Sequence, residues 1–170
     1  MRIIVIITIM QPKLDERDSK ILALLQRNCR ITAREIARKI DSPITTVFAK
    51  IKRMEKQGII QDYKAVLDAK KLHMGTAAFI LASFSYRLEG DEMLSQRQIV
   101  RQIAGFPEVQ EVHIITGDWD ILMKVRERDV DAIGNLVIDR LRTVKGIEKT
   151  LTCMVFETEK ETTDIKLELP

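Results

Sequence analysis

Cysteine, histidine and aromatic residues are all scarce in this chain. Among 170 residues there are two cysteines, two histidines and 5% aromatics. Cys29 and Cys153 stand far apart, and neither belongs to a C-x-x-C motif. With only His73 and His113 to join them, no zinc site of ordinary spacing can be assembled, so no metal or other cofactor is expected. Two lone cysteines suit a reducing cytoplasm, where a thiol behaves as a small hydrophobe. There is no phosphate-cradling glycine loop and no G-x-S-x-G elbow. Paired carboxylates beside a nucleophile are also missing, so an enzyme is not expected. No apolar run approaches the roughly 20 residues that span a bilayer, which excludes a membrane-spanning helix.

What is present is a chain that is 45% hydrophobic and 31% charged, a composition expected to fold as a globular protein. Net charge is only +3, but it is unevenly spread. Residues 1–60 carry 13 Lys/Arg against 6 Asp/Glu, and the rest carries 15 against 19. A basic N-terminal third followed by an acidic remainder suggests that one part meets a polyanion and the other does not.

Residues 1–10, MRIIVIITIM, are too short for a membrane helix. They read either as an added β-strand or, more simply, as a product of the chosen start codon, with Met10 as the natural start. Asp15 to Asn28 reads as a first helix, capped by Asp15, with Asp18 at its positive end and Ile21, Leu22, Leu24 and Leu25 inward. Thr32 to Ile40 reads as a second, opened by a T-A-R-E capping box between Thr32 and Glu35. Asp41 turns the chain into a third. Ser42 can cap it, Pro43 fits its first position, and Ile44, Val47, Ile51 and Met54 form an apolar stripe. Gly58 ends it. Thr45, Thr46, Lys50, Lys52, Arg53 and Lys56 lie off the stripe. A solvated basic surface is the plain reading of that helix alone. Three short helices with a tight second turn and a basic third helix make a helix-turn-helix pattern.

Residues 61–75 read as a semi-rigid linker with a short strand from Tyr63 to Leu67. From Thr76 the order becomes βαββαβ: a strand at 76–86, a helix at 91–104, strands at 109–116 and 119–126, a helix at 129–142 and a strand at 147–157. This predicts a ferredoxin-like antiparallel sheet under two helices across residues 76–160, and so an α+β chain. The two middle strands form a hairpin turned at Gly117-Asp118. His113 on a strand is expected in the core. The tail from 161 reads as a loose end or a late edge strand. In the first strand Ala77, Phe79 and Leu81 occupy one face and Ala78, Ile80, Ala82 and Phe84 the other. Both are apolar, where a half-exposed sheet alternates. The second face therefore needs another sheet, and a homodimer through this domain is expected.

An α-helix fits the major groove. Thr45, Thr46 and Lys50 are the expected base readers, the Ser42-Pro43 entry the phosphate-facing end, and Lys52, Arg53 and Arg30 phosphate contacts. The partner is then double-stranded DNA.

The segment from Leu14 to Asp68 resembles the N-terminal signature of the Lrp/AsnC family of leucine-responsive transcriptional regulators. The matching residues are Leu14-Asp15, Asp18, Ile21-Leu22, Leu25-Gln26, Arg30-Ile31, Glu35-Ile36-Ala37, Ser42, Thr46-Val47, Ile51, Arg53, Glu55, Gly58 and Ile60. GDWDILMKV at 117–125 resembles the family's G-D-x-D hairpin. The resemblance covers about residues 13–160. It implies a plain or winged helix-turn-helix domain (13–60) and a ligand-sensing domain that dimerises and often assembles into octamers. It also implies an amino-acid effector bound near the G-D-x-D turn and the last strand. Gly117, Asp118, Trp119 and Asp120, with Thr150 and Thr152, are the residues it points to. Two departures are visible. Lys50 stands where the family usually has Arg, and Asp41 stands in a turn where Gly is common and which looks one residue short. An architectural DNA-binding protein without an effector is the alternative.

Overall fold

The computed structural model describes residues 13–86 and 93–167, so the expected start at Met10 and the strand at residues 1–9 lie outside it. The chain forms two compact units. One extends to Val66 and takes in the chain again from Thr162, and the other is Leu67–Glu161.

The first unit holds three helices, α1 (Glu16–Arg27), α2 (Ala33–Lys39) and α3 (Ile44–Lys56). α1 begins with a reciprocal capping box between Asp15 and Asp18, and α2 with one between Thr32 and Glu35, so each box satisfies two otherwise orphan N–H groups. The Glu35 carboxyl is held below its ordinary range by the backbone and hydroxyl donors of Thr32. The α2–α3 turn is not short. Asp41 takes a left-handed φ of 49°, and Ser42 N–H reaches back to the Ala37 carbonyl at 3.0 Å, a complete left-handed C-cap with Asp in the position that favours Gly. α3 ends the same way at Gly58, whose neighbour Ile59 donates to the Met54 carbonyl at 2.9 Å.

Ile21, Leu22, Ile36, Ala37, Val47 and Met54 form the buried core of this unit. Ile44, expected in the stripe, is 45% exposed. It is the first residue of α3, ahead of the turn that contacts the core. No strand forms at Tyr63–Leu67, where the backbone runs without ladder partners and Val66 is fully exposed. Over its described residues, 161–167, the C-terminal segment is neither loose nor an edge strand. Ile165 exchanges two hydrogen bonds with the Gln26 side chain, at 2.7 and 3.1 Å, and Leu167 packs on the three-helix core.

The second unit is a four-stranded antiparallel sheet in the order β2-β3-β1-β4. The strands are β1 (Thr76–Phe84), β2 (Val109–Ile114), β3 (Ile121–Glu127) and β4 (Ile147–Met154), with helices α4 (Gln96–Ala104) and α5 (Val130–Asn135) between them. α5 runs on through a wide π-type turn at Leu136–Arg140 and a tight turn at Leu141–Thr143. The sequence of strands and helices gives the ferredoxin-like arrangement. Ala78, Ile80, Ala82 and Phe84 of β1 lie on the helix-covered face with Ile103, Ile133, Leu136, Val137 and Leu141. On the opposite face Phe79 is 38% exposed and Leu81 half-buried, beside their β4 partners Cys153 and Leu151. His113 on β2 is exposed rather than packed, 3.5 Å from Glu111.

β4 carries a bulge opposite Ser83 of β1, where Glu148 and Lys149 together face that one residue. Ser83 Oγ there accepts from Lys149 N–H at 3.1 Å. Gly146 adopts φ 86°, and a Cβ on it would lie 2.6 Å from the Phe84 ring and 2.8 Å from Leu94. Only glycine meets both demands.

Candidate functional site

α3 has two charged sides that behave differently. Val47 and Met54 are buried against the core. At 100° per residue, Lys50 falls beside them rather than opposite. Its ammonium lies 2.5 Å from Asp15 and 3.1 Å from Asp18, and only 14% of its side chain is exposed. Arg53 reaches the other Asp18 oxygen at 2.6 Å. Asp18 is fully buried, and two cations on its two oxygens are what make that burial tolerable. The Lys50 ammonium also holds the exposed Asp15 carboxyl down to about 2 from its ordinary 3.8. Lys50 is therefore not available to a base edge, and its role as a base reader is corrected. It fastens α3 to the start of α1.

The face of α3 turned away from the core carries Thr45, Phe48, Ala49, Lys52 and Lys56, all exposed. Thr46 and Arg53 lie on its flank. Lys52 is 2.7 Å from Glu55 and sits over the Phe48 ring, 5.8 Å from its centroid. Glu55 also accepts from the Tyr63 hydroxyl at 3.0 Å. Burial, and then the Glu55 carboxylate, raise that hydroxyl to about 12. Pro43, not Ser42, occupies the cap position, and no side chain caps α3. Ser42 Oγ is buried and accepts or donates no hydrogen bond, so the expected capping role is corrected. The first N–H groups of α3 thus carry no side-chain cap, an arrangement that suits an anion. Arg30 is exposed at the end of the α1–α2 turn, and Arg34, Arg38 and Lys39 are exposed on α2. Phe48 and Ala49 were not singled out from the sequence. On the helical wheel they flank the line from Thr45 to Lys52, one on each side, and that is the signal that could have found them.

In the second unit, Ile115 N–H donates to the Asp120 carbonyl at 2.9 Å and closes the β2–β3 hairpin. Gly117 takes φ 121° within it. Asp118 is exposed and Trp119 half-buried. Asp120 is committed to the fold. Its carboxylate accepts from Phe84 N–H at 2.8 Å, and its own N–H donates to the Ala82 carbonyl at 3.1 Å. That corrects its expected role as an effector ligand: β3 pairs with β1 only as far as Ile121–Ala82, and beyond that last pair Asp120 supplies the acceptor that Phe84 lacks. Thr150 and Thr152 stand opposite Ala82 and Ile80 and share their helix-covered face. Ala82 therefore separates the Asp120 end of the hairpin from Thr150. Thr150 lines an open cavity of about 510 Å³ with Arg142, Ile147, Glu148 and Lys149, and the hairpin residues do not line it. A cavity of about 540 Å³ lies elsewhere, between the Leu67–Gly75 segment and residues 155–161. It holds none of the expected effector residues, and Arg126 within it is already paired with Glu161 at 3.2 Å. Among the described residues, no helix is long and apolar enough to cross a membrane.

A three-helix unit with an exposed basic third helix, joined to a βαββαβ unit, defines a helix-turn-helix DNA-binding regulator with a second, sensing-type unit. Comparison with known proteins gives the family. The model for winged helix-turn-helix DNA-binding domains matches residues 14–61, and the model for the Lrp/AsnC ligand binding domain matches residues 82–165. An HTH-type transcriptional regulator of Pyrococcus abyssi is 43% identical over 148 residues, covering 87% of this chain and 96% of that protein. The HTH-type transcriptional regulator FL11 of Pyrococcus horikoshii is 29% identical over 158 residues, 93% of this chain and 99% of its own. The structure of a transcriptional regulator from Neisseria meningitidis in complex with L-Met superposes with a TM-score of 0.82 at 27% identity, over 91% of this chain and 97% of that one. The chain belongs to the Lrp/AsnC family and is a DNA-binding transcriptional regulator with a ligand-binding domain, in a family of regulators rather than enzymes.

Proposed function

We propose that this regulator binds specific duplex sequences in the cytoplasm through α3, as a homodimer or a higher homo-oligomer such as an octamer, and that an amino acid modulates it. The observation that carries the DNA reading is the outward face of α3. It joins a hydroxyl, an aromatic ring and two lysines beside a helix N-terminus without a side-chain cap. Thr45 and Lys52 face base edges in this reading, with Thr46 at the margin. Arg30, Arg53 and the Ser42-Pro43 entry lie along the phosphates, where contacts position the protein without reading sequence.

The effector is placed at the hairpin end of the sheet. Asp118 offers an exposed carboxylate to an ammonium group and Gly117 N–H a donor to a carboxylate, while Thr150, with Arg142 and Lys149 beside it, lies one strand away and enters this reading only as a contribution from a second copy of the chain. Trp119 supplies an apolar wall, and Thr152 lies further along the same strand face. The L-Met complex of the Neisseria relative is what points to an amino acid. Oligomerisation is supported by the exposed apolar face of the sheet. The effector would act by favouring one arrangement of protomers over another.

A thermal-shift screen of the full chain against the twenty amino acids tests the sensing half. A bound ligand raises the midpoint by mass action, and Asp118→Ala is expected to abolish that shift while leaving DNA affinity unchanged. No shift with any amino acid would leave an architectural DNA-binding protein as the better reading. An unaltered shift in Asp118→Ala would remove the hairpin from the site.

A further inference from the structure

The outward face of α3 is more apolar than phosphate contact requires. Phe48 is 56% exposed and Ile44 45% exposed, and Ala49 is exposed between Phe48 and Lys52. On the helical wheel these three fall in or beside the roughly 100°-wide sector that holds Thr45 and Lys52. A large side chain left in water on a helix whose other face packs a core is a feature to be explained. Lys52 lies over the ring and has not covered it, and the surrounding charges of this face, Lys52 and Lys56, select a polyanion as the occupant.

The one apolar group that duplex DNA displays in its major groove is the thymine 5-methyl. We propose that Ile44, Phe48 and Ala49 form an apolar strip that packs against thymine methyl groups in the major groove. Sequence would then be selected largely by methyl contact, with Thr45 and Lys52, which lie between Phe48 and Ala49 on the wheel, adding polar readout. The proposal rests on the reading that α3 enters the major groove, and it replaces the lost Lys50 contact with specific residues and a specific base.

The chemistry has a direct probe. Deoxyuridine in place of thymidine removes the methyl and keeps every hydrogen-bonding group of the base. The experiment uses the full chain and a duplex that it selects from a random-sequence pool. The same duplex is then remade with deoxyuridine at every thymine. At the usual hydrophobic value of one buried methyl, affinity is expected to fall about fourfold per contacted methyl, and about fifteenfold when each of two half-sites contributes one. Phe48→Ala should bind the thymine duplex more weakly by a similar factor and be almost indifferent to the replacement. Phe48→Leu, which keeps an apolar tip, should remain sensitive. Because Phe48 is exposed and outside the core, both variants are expected to fold.

Equal affinity of the wild-type chain for the two duplexes, with a steep salt dependence retained, would overturn the methyl contact and leave DNA binding by α3 intact. So would equal sensitivity to deoxyuridine in wild type and Phe48→Ala. Loss of concentration-dependent self-association in Phe48→Ala, with DNA affinity unchanged, would assign the strip to a second copy of the chain instead. Selection of no duplex, together with salt-independent binding, would overturn both this inference and the DNA reading beneath it.

Discussion

Lys50 and Phe48 lie two residues apart on α3 and face opposite surroundings. The ammonium of Lys50 is drawn in by Asp18, and the ring of Phe48 is left outside. Asp18 is the cause. Its carboxylate caps the start of α1 through Asp15 N–H at 2.9 Å and also receives Lys50 and Arg53, so one buried side chain sets the seating of the reading helix. Removing it leaves Lys50 as a nearly buried cation with only the exposed Asp15 as partner. Asp18→Ala is expected to destabilise the first unit by about 3 kcal/mol, measured by urea denaturation.

The Asp15 carboxyl adds a pH signature. Its folded pKa is depressed, so its contribution is present above about pH 4 and is lost as pH falls toward about 2. Replacing Lys50 by Met should move the NMR titration of Asp15 back up toward 3.8, and an unmoved midpoint would contradict the pairing. The Thr32–Glu35 capping box was legible as a residue pattern three apart, and Asp15 as a cap, while the return bond from Asp18 was not. The fate of Lys50 was not, because a stripe of apolar residues tells which side is inward without telling which polar neighbour a buried carboxylate will claim.

Among the elements, the junction of β1 with the start of β4 is the most constrained. The β4 bulge opposite Ser83, the Asp120 carboxylate on Phe84 N–H and the glycine beneath the Phe84 ring form one connected unit. Gly146→Ala would add a left-handed strain and a contact far inside van der Waals distance. The expected loss is about 2–4 kcal/mol in the second unit, read from its thermal midpoint with the helical unit as internal reference. Gly117→Ala, with open space around its Cβ, should cost less, since only its φ is at stake. The order βαββαβ was legible from alternation of period two and period 3.6, and its helix and strand ends moved by a few residues. The strand at Tyr63–Leu67 was not borne out. Its β-branched and aromatic residues satisfy a propensity, but a strand also needs a neighbour for its backbone groups, and none of the described residues supplies one there. The role of Asp120 was hidden for the same reason: the G-D-W-D run looks like a turn motif, and only the end of the β1–β3 ladder at Ala82 reveals the missing acceptor.

For the whole molecule, the charge asymmetry and the open sheet face lead to one linked expectation. The basic residues of the first unit supply phosphate contacts. The apolar face around Phe79, Leu81 and Leu151 supplies a surface on which two copies can pair. If each protomer neutralises about four phosphates, a dimer neutralises about eight, and the slope of log affinity against log salt should be about −7. Affinity should then fall by roughly 10³–10⁵ between 50 and 200 mM salt. Phe79→Glu places a charge at the centre of the open face, opposite Cys153 in β4 and Lys124 in β3. It leaves the helix-covered core untouched. The variant is expected to sediment as a monomer, or as a smaller assembly than wild type, and to show a salt slope of about half the wild-type value, because one reading helix then acts alone. Unchanged mass with an unchanged slope would mean that the copies join through another surface. Reduced mass with the full slope would mean that a single protomer already makes all the phosphate contacts, and that dimerisation contributes to regulation rather than to grip.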